Sequence, residues 1–427
     1  HTRCAIVTGI QTCALPICDA PIMKGYMSMI SFLARSDVQT TLDAYKDETD
    51  FLALRRRLAG MYSQEEAIAI SRQIALRQRA QRKFPSPQHM LFDCQGLQQA
   101  THAAVAVYNA SFFTKSDKVV DACCGIGSDL IALSKNVDKV FAVESDPERT
   151  ACSRFNLESL GKPDTVTFCE DDILSARLPD SVTGMYADPS RRREGRRRND
   201  PEDYAPPLSA LIQKAKQELS ATCRLIVKLS PVCDYESLLS LGRIEVVSLD
   251  SEVKEILFIR DGRGAGRVKA VLLTHENFLP ESFLEIESDP AVSKKVSPVQ
   301  DYILEPDPAI IRAGLVAEYA DLIGASFIDS QIAYLTSRKP GQEKGARAYA
   351  VEETYEYNPK KLKKILQAKG LDALTVKKRG TRESARTIQD KLGIKSGSNT
   401  RFLFVFRRGT RHWACLARRE WREGRKK

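Results

Sequence analysis

The stretch from Val119 to Leu130, VVDACCGIGSDL, decides the fold of this chain. Its apolar beginning predicts a buried strand, its two glycines predict a tight turn, and its end predicts the start of a helix. Glycines at such a turn let the backbone approach a ligand closely, and the N-terminus of the following helix adds partial positive charge. The stretch therefore predicts a ligand-binding turn at the edge of a parallel sheet.

The segments around this turn alternate between strand and helix patterns from Lys118 to about Thr274. The predicted strands are KVVDAC (118–123), KVFAVES (139–145), TVTFCED (165–171), SVTGMYADPS (181–190) and CRLIVKLSP (223–231), and the predicted helices are DLIALSK (129–135), PERTACSRFNLESLG (147–161) and PLSALIQKAKQELS (207–220). Three further extended segments are IEVVSL (244–249), EVKEILFIR (252–260) and RVKAVLLT (267–274), with a Gly-rich turn, DGRGAGR, between the last two. The pattern predicts an α/β fold, a mainly parallel sheet with helices on both faces and a closing antiparallel pair.

The regions on either side have different patterns. Apolar residues at helical spacing run from Phe32 to Phe113, including a predicted helix over 98–113. A polar connector leads to a predicted helix over 305–325, opened by Pro308. Beyond it, four predicted strands (348–355, 374–379, 401–407, 412–418) and two predicted helices (359–370, 383–393) indicate a small α/β unit. The predicted domains are therefore helical (23–117), sheet-based (118–275), connector with a helical segment (276–345), small α/β (346–420) and a basic tail (421–427).

The first residues are predicted not to be native protein. Residues 7–17, VTGIQTCALPI, resemble the translation of a common sequencing adapter. We therefore exclude residues 1–22 from the fold and expect translation to start at Met23, Met27 or Met29.

Composition and charge narrow the classes of partner. The 427 residues carry a formal net charge of +10, concentrated between Arg191 and Arg198 and in the last fifty residues. Clustered positive charge suits a nucleic acid, because each neutralised phosphate releases counterions; an ordinary basic surface is the alternative. There is no apolar run long enough for a spanning helix, which predicts no membrane segment. The eleven cysteines include no C-x-x-C pair, so we expect a reducing cytoplasm and no metal.

Acidic residues end the first three predicted strands. Asp121 with Gly125 and Gly127 gives the spacing D-x-x-x-G-x-G, whereas the nicotinamide dinucleotide fingerprint needs a third glycine where Leu130 stands. Together with Glu144 after the second strand, positioned for ribose hydroxyls, this spacing is typical of S-adenosylmethionine (SAM) sites. After the third strand, Asp172 is predicted to contact the adenine amino group. The alternative is that these acids merely cap helices.

The fourth strand ends in Asp188-Pro-Ser-Arg-Arg192, at the edge where methyl transfer is expected. Asp188 is predicted to accept a hydrogen bond from the methyl acceptor, as the acid does in N/D-P-P-Y enzymes. Ser190 and Arg191 replace the second proline and the aromatic of that motif, so base stacking is not expected here. Arg191 or Arg192 either holds a phosphate or forms a salt bridge that fixes the loop.

Lys228, near the end of the fifth strand, is predicted as a catalytic residue together with Asp188 and has three possible placements. It points at an anionic substrate, pairs with Asp188, or extends its amine into water. Cys233 follows soon after, and a cysteine nucleophile would suit carbon-5 methylation of a pyrimidine. Its spacing does not match the Ser-Cys-Asn/Asp-Pro pattern of those enzymes, so this role is disfavoured.

Taken together, these segments resemble a bacterial family of class I SAM-dependent methyltransferases with a C-terminal THUMP-like domain, whose usual motif is Asp-Pro-Ala/Ser-Arg-Arg. The resemblance runs from about Phe92 to Arg419 and is carried by DACCGIGSDL, YADPSRR, DPEDYAPPLSALI, IVKLSP, EVKE, EPDPAIIRAGL, IAYLT and LTVKKRG. It implies a Rossmann-like methyltransferase sheet and a SAM cofactor. Since THUMP domains deliver tRNA to modification enzymes, it also implies an RNA substrate.

The function predicted from the sequence is methylation of structured RNA, tRNA or rRNA, by a SAM-dependent enzyme. Basic residues of the C-terminal unit are predicted to hold the phosphate backbone: Lys377, Lys378, Arg379, Arg407, Arg408 and Arg411. Two alternatives stay open. One is a methyltransferase for a protein or a small acidic metabolite, and the other is a non-catalytic RNA-binding protein that retains the SAM fold.

Overall fold

A computed structural model describes residues 29–193, 196–219, 223–340, 345–397 and 400–420. The predicted non-native segment 1–22 and the predicted basic tail 421–427 lie outside these residues. Within the described part, no helix combines the length and the apolar character needed to cross a membrane.

The helices are α1 (Met29–Leu33), α2 (Ser36–Ala44), α3 (Phe51–Leu58), α4 (Gln64–Ala80), α5 (Cys94–Gln99), α6 (Ala103–Ala110), α7 (Ser128–Asn136), α8 (Pro147–Leu160), α9 (Leu208–Glu218), α10 (Pro308–Arg312), α11 (Val316–Leu322), α12 (Pro359–Ala368) and α13 (Ala385–Leu392). The strands are β1 (Lys118–Asp121), β2 (Lys139–Val143), β3 (Val166–Cys169), β4 (Gly184–Ala187), β5 (Arg192–Arg193), β6 (Arg196–Arg197), β7 (Arg224–Leu229), β8 (Arg243–Leu249), β9 (Glu252–Arg260), β10 (Val268–Glu276), β11 (Leu279–Glu287), β12 (Tyr302–Pro306), β13 (Ser326–Phe327), β14 (Leu335–Ser337), β15 (Ala346–Glu356), β16 (Thr375–Arg379), β17 (Arg401–Arg408) and β18 (Arg411–Arg419). The predicted alternation of strands and helices after Lys118 is confirmed.

The chain divides into two compact units. Among the described residues, the first is formed by residues 29–116 together with 124–176, and the second by 117–123 together with the residues from 177 to 420. In the first unit, the N-terminal helices share one hydrophobic core with Ile126 and with Cys152 of α8. The same unit holds the parallel pair β2–β3.

A buried asparagine fastens the N-terminal helical region to the glycine turn. The Asn156 side chain accepts a hydrogen bond from the Leu91 amide (2.7 Å) and donates to the carbonyls of Leu91 (3.0 Å) and Ile126 (2.9 Å). Buried backbone groups outside regular structure need such partners. The turn therefore rests on α8 and on the chain that precedes α5.

The single helix predicted over 98–113 is wrong, because the structure has α5 and α6 with a break between them. The Thr101 hydroxyl donates to Asp129 of α7, which draws residue 101 out of a helical path. His102 then caps α6, its Nδ1 accepting from the Ala104 amide at 3.2 Å. A tertiary contact thus overrides the local helical pattern.

In the second unit, the strands of the large sheet follow the order β11-β10-β8-β9-β7-β4-β1. β1, β4 and β7 are parallel neighbours, and β9 lies antiparallel between β7 and β8. The residues of β9 from Ile256 to Ile259 are fully buried, as expected for a strand covered on both faces. The glycine-rich loop 261–267 leads from β9 to β10, which pairs with β8 in parallel, so this loop passes β8 and does not form a hairpin.

The C-terminal sheet has the strand order β13-β14-β12-β15-β18-β17-β16, and α12 and α13 pack together within this region. The strands and helices predicted beyond residue 346 are confirmed. The predicted connector contains further strands, because β12, β13 and β14 pair into this sheet. The helix predicted over 305–325 is wrong: β12 occupies its start, and α10 ends before Gly314, whose φ of +75° interrupts the helical path to α11.

Candidate active site

The predicted glycine turn is present, with both glycines in the left-handed region of backbone conformation. Gly125 has φ +55° and Gly127 has φ +87°, and α7 begins directly after Gly127. A Cβ atom at Gly127 would lie 2.7 Å from Ser153 Oγ and 3.4 Å from Ser153 Cα. Any other residue at position 127 would therefore both strain the backbone and press on α8. Both positions therefore favour glycine, as the sequence predicts for this turn.

Glu144 is held against this turn. It is 8% exposed, and its two carboxylate oxygens accept hydrogen bonds from the amides of Gly125 (2.8 Å) and Asp146 (3.1 Å). Each carboxylate oxygen has two lone-pair positions, so both retain acceptor capacity for ribose hydroxyls. The glycine turn thus fixes the orientation of the acid that is predicted to bind the ribose.

The other two predicted cofactor acids have different surroundings. Asp121 is buried at the end of β1, where it lies in register with Tyr186 of β4. Asp172 is exposed, and its Oδ1 accepts from the Leu174 amide at 2.8 Å. Asp172 therefore stabilises a local turn, and its contact with adenine stays a prediction.

The predicted reaction edge contains a buried lysine between two carboxylates. Lys228 Nζ lies 2.7 Å from Asp188 Oδ2 and 3.9 Å from Glu255 Oε2. Lys228 and Glu255 are 3% and 1% exposed, whereas the Asp188 side chain is 22% exposed. Of the three placements considered for Lys228, the structure shows the ion pair with Asp188. Charges are expensive to bury even in pairs, and such groups concentrate at functional sites.

The loops beside this ion pair are fixed by a tyrosine and by backbone pairing. The Tyr204 hydroxyl accepts from the Ser230 amide at 3.1 Å, and the Ser230 hydroxyl donates to Asn199 at 3.3 Å. Burial raises the pKa of Tyr204 to about 12, so it stays a neutral phenol. Ser190 and Ala205 exchange two backbone hydrogen bonds of 2.9 and 3.0 Å. The segment after Asp188 is thereby held on both sides.

An arginine hairpin follows Asp188 in the chain. β5 and β6 pair antiparallel, with Arg192 opposite Arg197 and Arg193 opposite Arg196. Arg196 and Arg197 are exposed, and the Arg198 amide donates to the Arg191 carbonyl at 2.8 Å. The hairpin places positive charge directly after the reaction-edge motif.

Cys233 does not have the surroundings of a nucleophile. The thiol is buried, and burial raises its pKa to about 12. Since the thiolate is the reactive form, this thiol is inert near neutral pH. Among the described residues there is also no group of three or more His, Cys, Asp or Glu side chains that could hold a metal ion.

Arg312 of α10 forms hydrogen bonds with the loop that contains Cys233. Arg312 Nε donates to the Pro231 carbonyl at 2.8 Å, and its Nη2 donates to the Cys233 carbonyl. The guanidinium lies 5.0 Å from the ring centre of Tyr235, whose hydroxyl donates to the Arg312 carbonyl at 3.1 Å. α10 also packs on β8, β9 and β10. α10 thus fixes the loop that follows Ser230.

A polar cavity of about 320 Å³ lies elsewhere on this sheet. Its lining includes Arg224 and Arg243, at the amino ends of β7 and β8. Because Lys228 lies near the other end of β7, the cavity is at the sheet edge opposite the Asp188–Lys228 pair. It is therefore separate from the predicted reaction edge.

Two proteins of Mycobacterium tuberculosis, from strains CDC 1551/Oshkosh and H37Rv, are described as uncharacterized S-adenosylmethionine-dependent methyltransferases. Each is 32% identical to this chain over 312 residues, which cover 71% of this chain and 81% of the relative. The chain belongs to this family of SAM-dependent methyltransferases. The predicted enzyme class and cofactor are thereby confirmed.

Two regions of the enzyme match family profiles. Residues 116–231 match the family described as RNA cap guanine-N2 methyltransferase, and residues 346–419 match the THUMP domain-like family. A crystal structure of a protein from Porphyromonas gingivalis W83, provisionally described as a methyltransferase, superposes with a TM-score of 0.75 at 20% identity. The superposition covers 90% of this chain and 98% of that chain. The predicted methyltransferase fold with a C-terminal THUMP-like domain is confirmed.

Sequence reasoning missed Glu255 and Arg312. Glu255 had a usable signal, because an acid within the apolar strand β9 and a lysine within the apolar strand β7 suggest a buried pair. Arg312 had none, since its partners are backbone carbonyls of a distant loop.

The six basic residues predicted to contact RNA lie on β16, β17 and β18. Three have a carboxylate within 4.0 Å: Lys377 with Glu305 (2.7 Å), Arg407 with Asp329 (4.0 Å) and Arg411 with Glu356 (3.7 Å). Arg379 lies 4.9 Å from the ring centre of Tyr334, Lys378 is exposed and Arg408 is half-buried. Phe402 and Phe404 of β17 are buried in the core of the sheet.

Replacing Glu144 with alanine is expected to weaken SAM binding about 10- to 100-fold, as measured by calorimetry. The change removes the predicted charge-assisted contact with ribose, which contributes roughly 1.5–3 kcal/mol, and frees the Gly125 amide from its partner. Glu158→Ala, an exposed acid on α8, is the matched control and should leave the affinity unchanged. Equal affinities for wild type and Glu144→Ala would exclude this role.

Proposed function

We propose that this enzyme methylates structured RNA, and that Asp188 orients the nucleophile. The observation that carries the proposal is the partly exposed Asp188 paired with buried Lys228 and Glu255, followed in the chain by the arginine hairpin β5–β6. A partly exposed carboxylate suits a nucleophile that carries a hydrogen, and adjacent arginines suit a phosphate-bearing substrate.

The residues proposed to bind the cofactor are Asp121, Gly125, Gly127, Glu144 and Asp172. The positive-φ turn and the buried, amide-oriented Glu144 fit a ligand that offers a ribose and a flexible charged tail. When bound, SAM supplies an electrophilic methyl group. The residues of the protein position the cofactor. Ser153 packs against Gly127 and leaves no room for a side chain at that position of the turn.

Lys228 and Glu255 are proposed as positioning residues for Asp188. Lys228 holds Asp188 Oδ2 at 2.7 Å, which fixes the rotamer of the carboxylate. Oδ1 is then oriented to accept the hydrogen of an amino or hydroxyl nucleophile. Glu255 stabilises the ammonium from its other side, 3.9 Å away. The proton lost by the acceptor passes to the Asp188 carboxylate and from there to water, and Asp188 is restored.

Three observations support RNA as the substrate class. The family matched over residues 116–231 is described by RNA cap methylation, and residues 346–419 match the THUMP domain-like family. The third is the arginine hairpin, in which Arg191 and Arg192 are proposed to hold a phosphate near the target nucleotide. A target base within a helix would have to be extruded to reach Asp188.

The proposal is tested by label transfer from tritiated SAM. Purified enzyme is incubated with total RNA from cells in which its gene is deleted, and with protein and metabolite fractions of the same cells. We expect label in RNA, and RNA binding that weakens steeply with salt. Label in protein or in small acidic metabolites, with unlabelled RNA, would contradict the proposal. SAM binding without any transfer would instead favour a non-catalytic RNA-binding role.

A further inference from the structure

One helix of the THUMP-like domain, α12, is strongly basic. Its sequence, PKKLKKILQA, has four lysines and no acid in ten residues. Lys360, Lys361 and Lys364 are exposed, while Lys363 is half-buried. We call the three exposed residues the lysine face.

The packing of α12 explains why these lysines face solvent. Leu362 and Leu366, one helical turn apart, are each 1% exposed and belong to a core with α13 and the neighbouring strands. The positions on the other side of the helix are therefore directed outward. Lys360 and Lys364 are also separated by four residues, which places them about 6 Å apart along the helix axis.

Lys363 differs from the other three because it supports the fold. A Cβ at Gly393, the C-cap of α13, would lie 3.2 Å from Lys363 Nζ. The ammonium thus lies at the C-terminal end of α13, where the helix carbonyls favour a cation. Lys363 is therefore not counted in the lysine face.

The lysine face is not neutralised by neighbouring acids. Considering only residues 29–193, 196–219, 223–340, 345–397 and 400–420, no carboxylate oxygen lies within 4.0 Å of the ammonium groups of Lys360, Lys361 or Lys364. On the strands, by contrast, Lys377 and Arg411 already have carboxylate partners. A phosphate at Lys377, Arg407 or Arg411 would compete with an acid, whereas the lysine face has no such competitor within 4.0 Å among the described residues.

We propose that the lysine face of α12 is the main phosphate-docking surface of the THUMP-like domain. This inference rests on the proposed RNA substrate and adds where that RNA is held. Three ammonium groups on one helical face can bind successive phosphates of a backbone without reading sequence. An anionic membrane is the less suitable partner, because the apolar side of α12 is buried in the core and cannot insert into lipid.

The test compares two full-length variants that each lose three positive charges. One is K360Q/K361Q/K364Q on α12, and the other is K377Q/R407Q/R411Q on the strands. Full-length protein is needed because α10, which precedes this domain, packs on the methyltransferase sheet. Filter binding of structured RNA is measured across a salt series, while SAM calorimetry and thermal melting verify that each variant is folded.

We expect the α12 variant to bind RNA on the order of 10-fold more weakly at moderate salt. The slope of log affinity against log salt should become shallower by about 2 to 3, since each lost phosphate contact removes about 0.7–0.9. The strand variant should change the slope by less than about 1. The charge-retaining variant K360R/K361R/K364R should bind as wild type does, which separates lost charge from disturbed folding.

Three results would overturn the inference. If wild type binds RNA and the folded α12 variant has an unchanged slope of log affinity against log salt, α12 is not the docking surface. The proposed function is unaffected by that result. A larger loss in the strand variant would assign docking to the strands. Binding of phosphatidylserine vesicles by wild type that is lost in the α12 variant, with RNA binding unchanged, would assign α12 to membranes. Failure of wild type to bind RNA at all would instead contradict the proposed function itself.

Discussion

Replacing Asp188 with asparagine is expected to lower the rate of methyl transfer by roughly 100-fold or more, a typical effect of losing a positioned general base. The amide keeps the size of the side chain but cannot take up the proton of the nucleophile. The pairing with Lys228 at 2.7 Å is also weakened, so the side chain is held less firmly. The rate is measured as kcat from tritiated SAM, with RNA as acceptor.

The expected pattern separates chemistry from folding. SAM affinity and the KM for RNA should be close to the wild-type values, because Asp188 is proposed to act only on the reacting group. Asp203→Asn, an exposed acid in the segment after the arginine hairpin, is the matched control and should keep full activity. A kcat for Asp188→Asn within about threefold of wild type would remove Asp188 from the proposed mechanism.

Replacing Lys228 with methionine is expected to lower the free energy of unfolding by about 3–5 kcal/mol. Methionine fills a similar volume, but the carboxylates of Asp188 and Glu255 lose their shared counter-charge in a buried setting. The change is measured by urea denaturation, and methyl transfer should be lost in parallel because Asp188 is no longer fixed.

A second substitution tests the cause of this instability. Lys228→Met combined with Glu255→Gln should recover part of the loss, because one of the two uncompensated charges is removed. Lys216→Met, at an exposed position of α9, should change stability by less than about 0.5 kcal/mol. A loss below about 1 kcal/mol for Lys228→Met would show that the pair contributes no more than a surface salt bridge.

Local signals predicted the conformation of the glycine turn well. Gly125 and Gly127 adopt the positive φ angles that their place between a strand and a helix requires. Glu144 follows β2, and the glycine turn follows β1. The alternation of strands and helices brings the end of β2 to this turn, so Glu144 lies against it. The C-terminal strands and helices also have strong patterns, and they were predicted nearly to their ends.

Contacts that depend on strand order were not predictable in the same way. Glu255 reaches Lys228 only because β9 lies between β7 and β8, which no local pattern specifies. The partners of the basic strand residues, such as Glu305 for Lys377, come from a strand that the sequence pattern did not indicate. The sequence therefore shows which strands carry basic residues, but it does not show which acidic residues pair with them.

The hydrogen bonds of Asn156 have a consequence for protein engineering. One carboxamide joins the backbone at Leu91 to the backbone at Ile126, so the helical region acts as a foundation for the glycine turn. A designer who transplants only the sheet and its turn would leave these carbonyl and amide groups without their partner. The smallest portable version of this proposed cofactor-binding motif therefore includes α8 and the segment around Leu91, although neither carries a residue proposed to touch SAM.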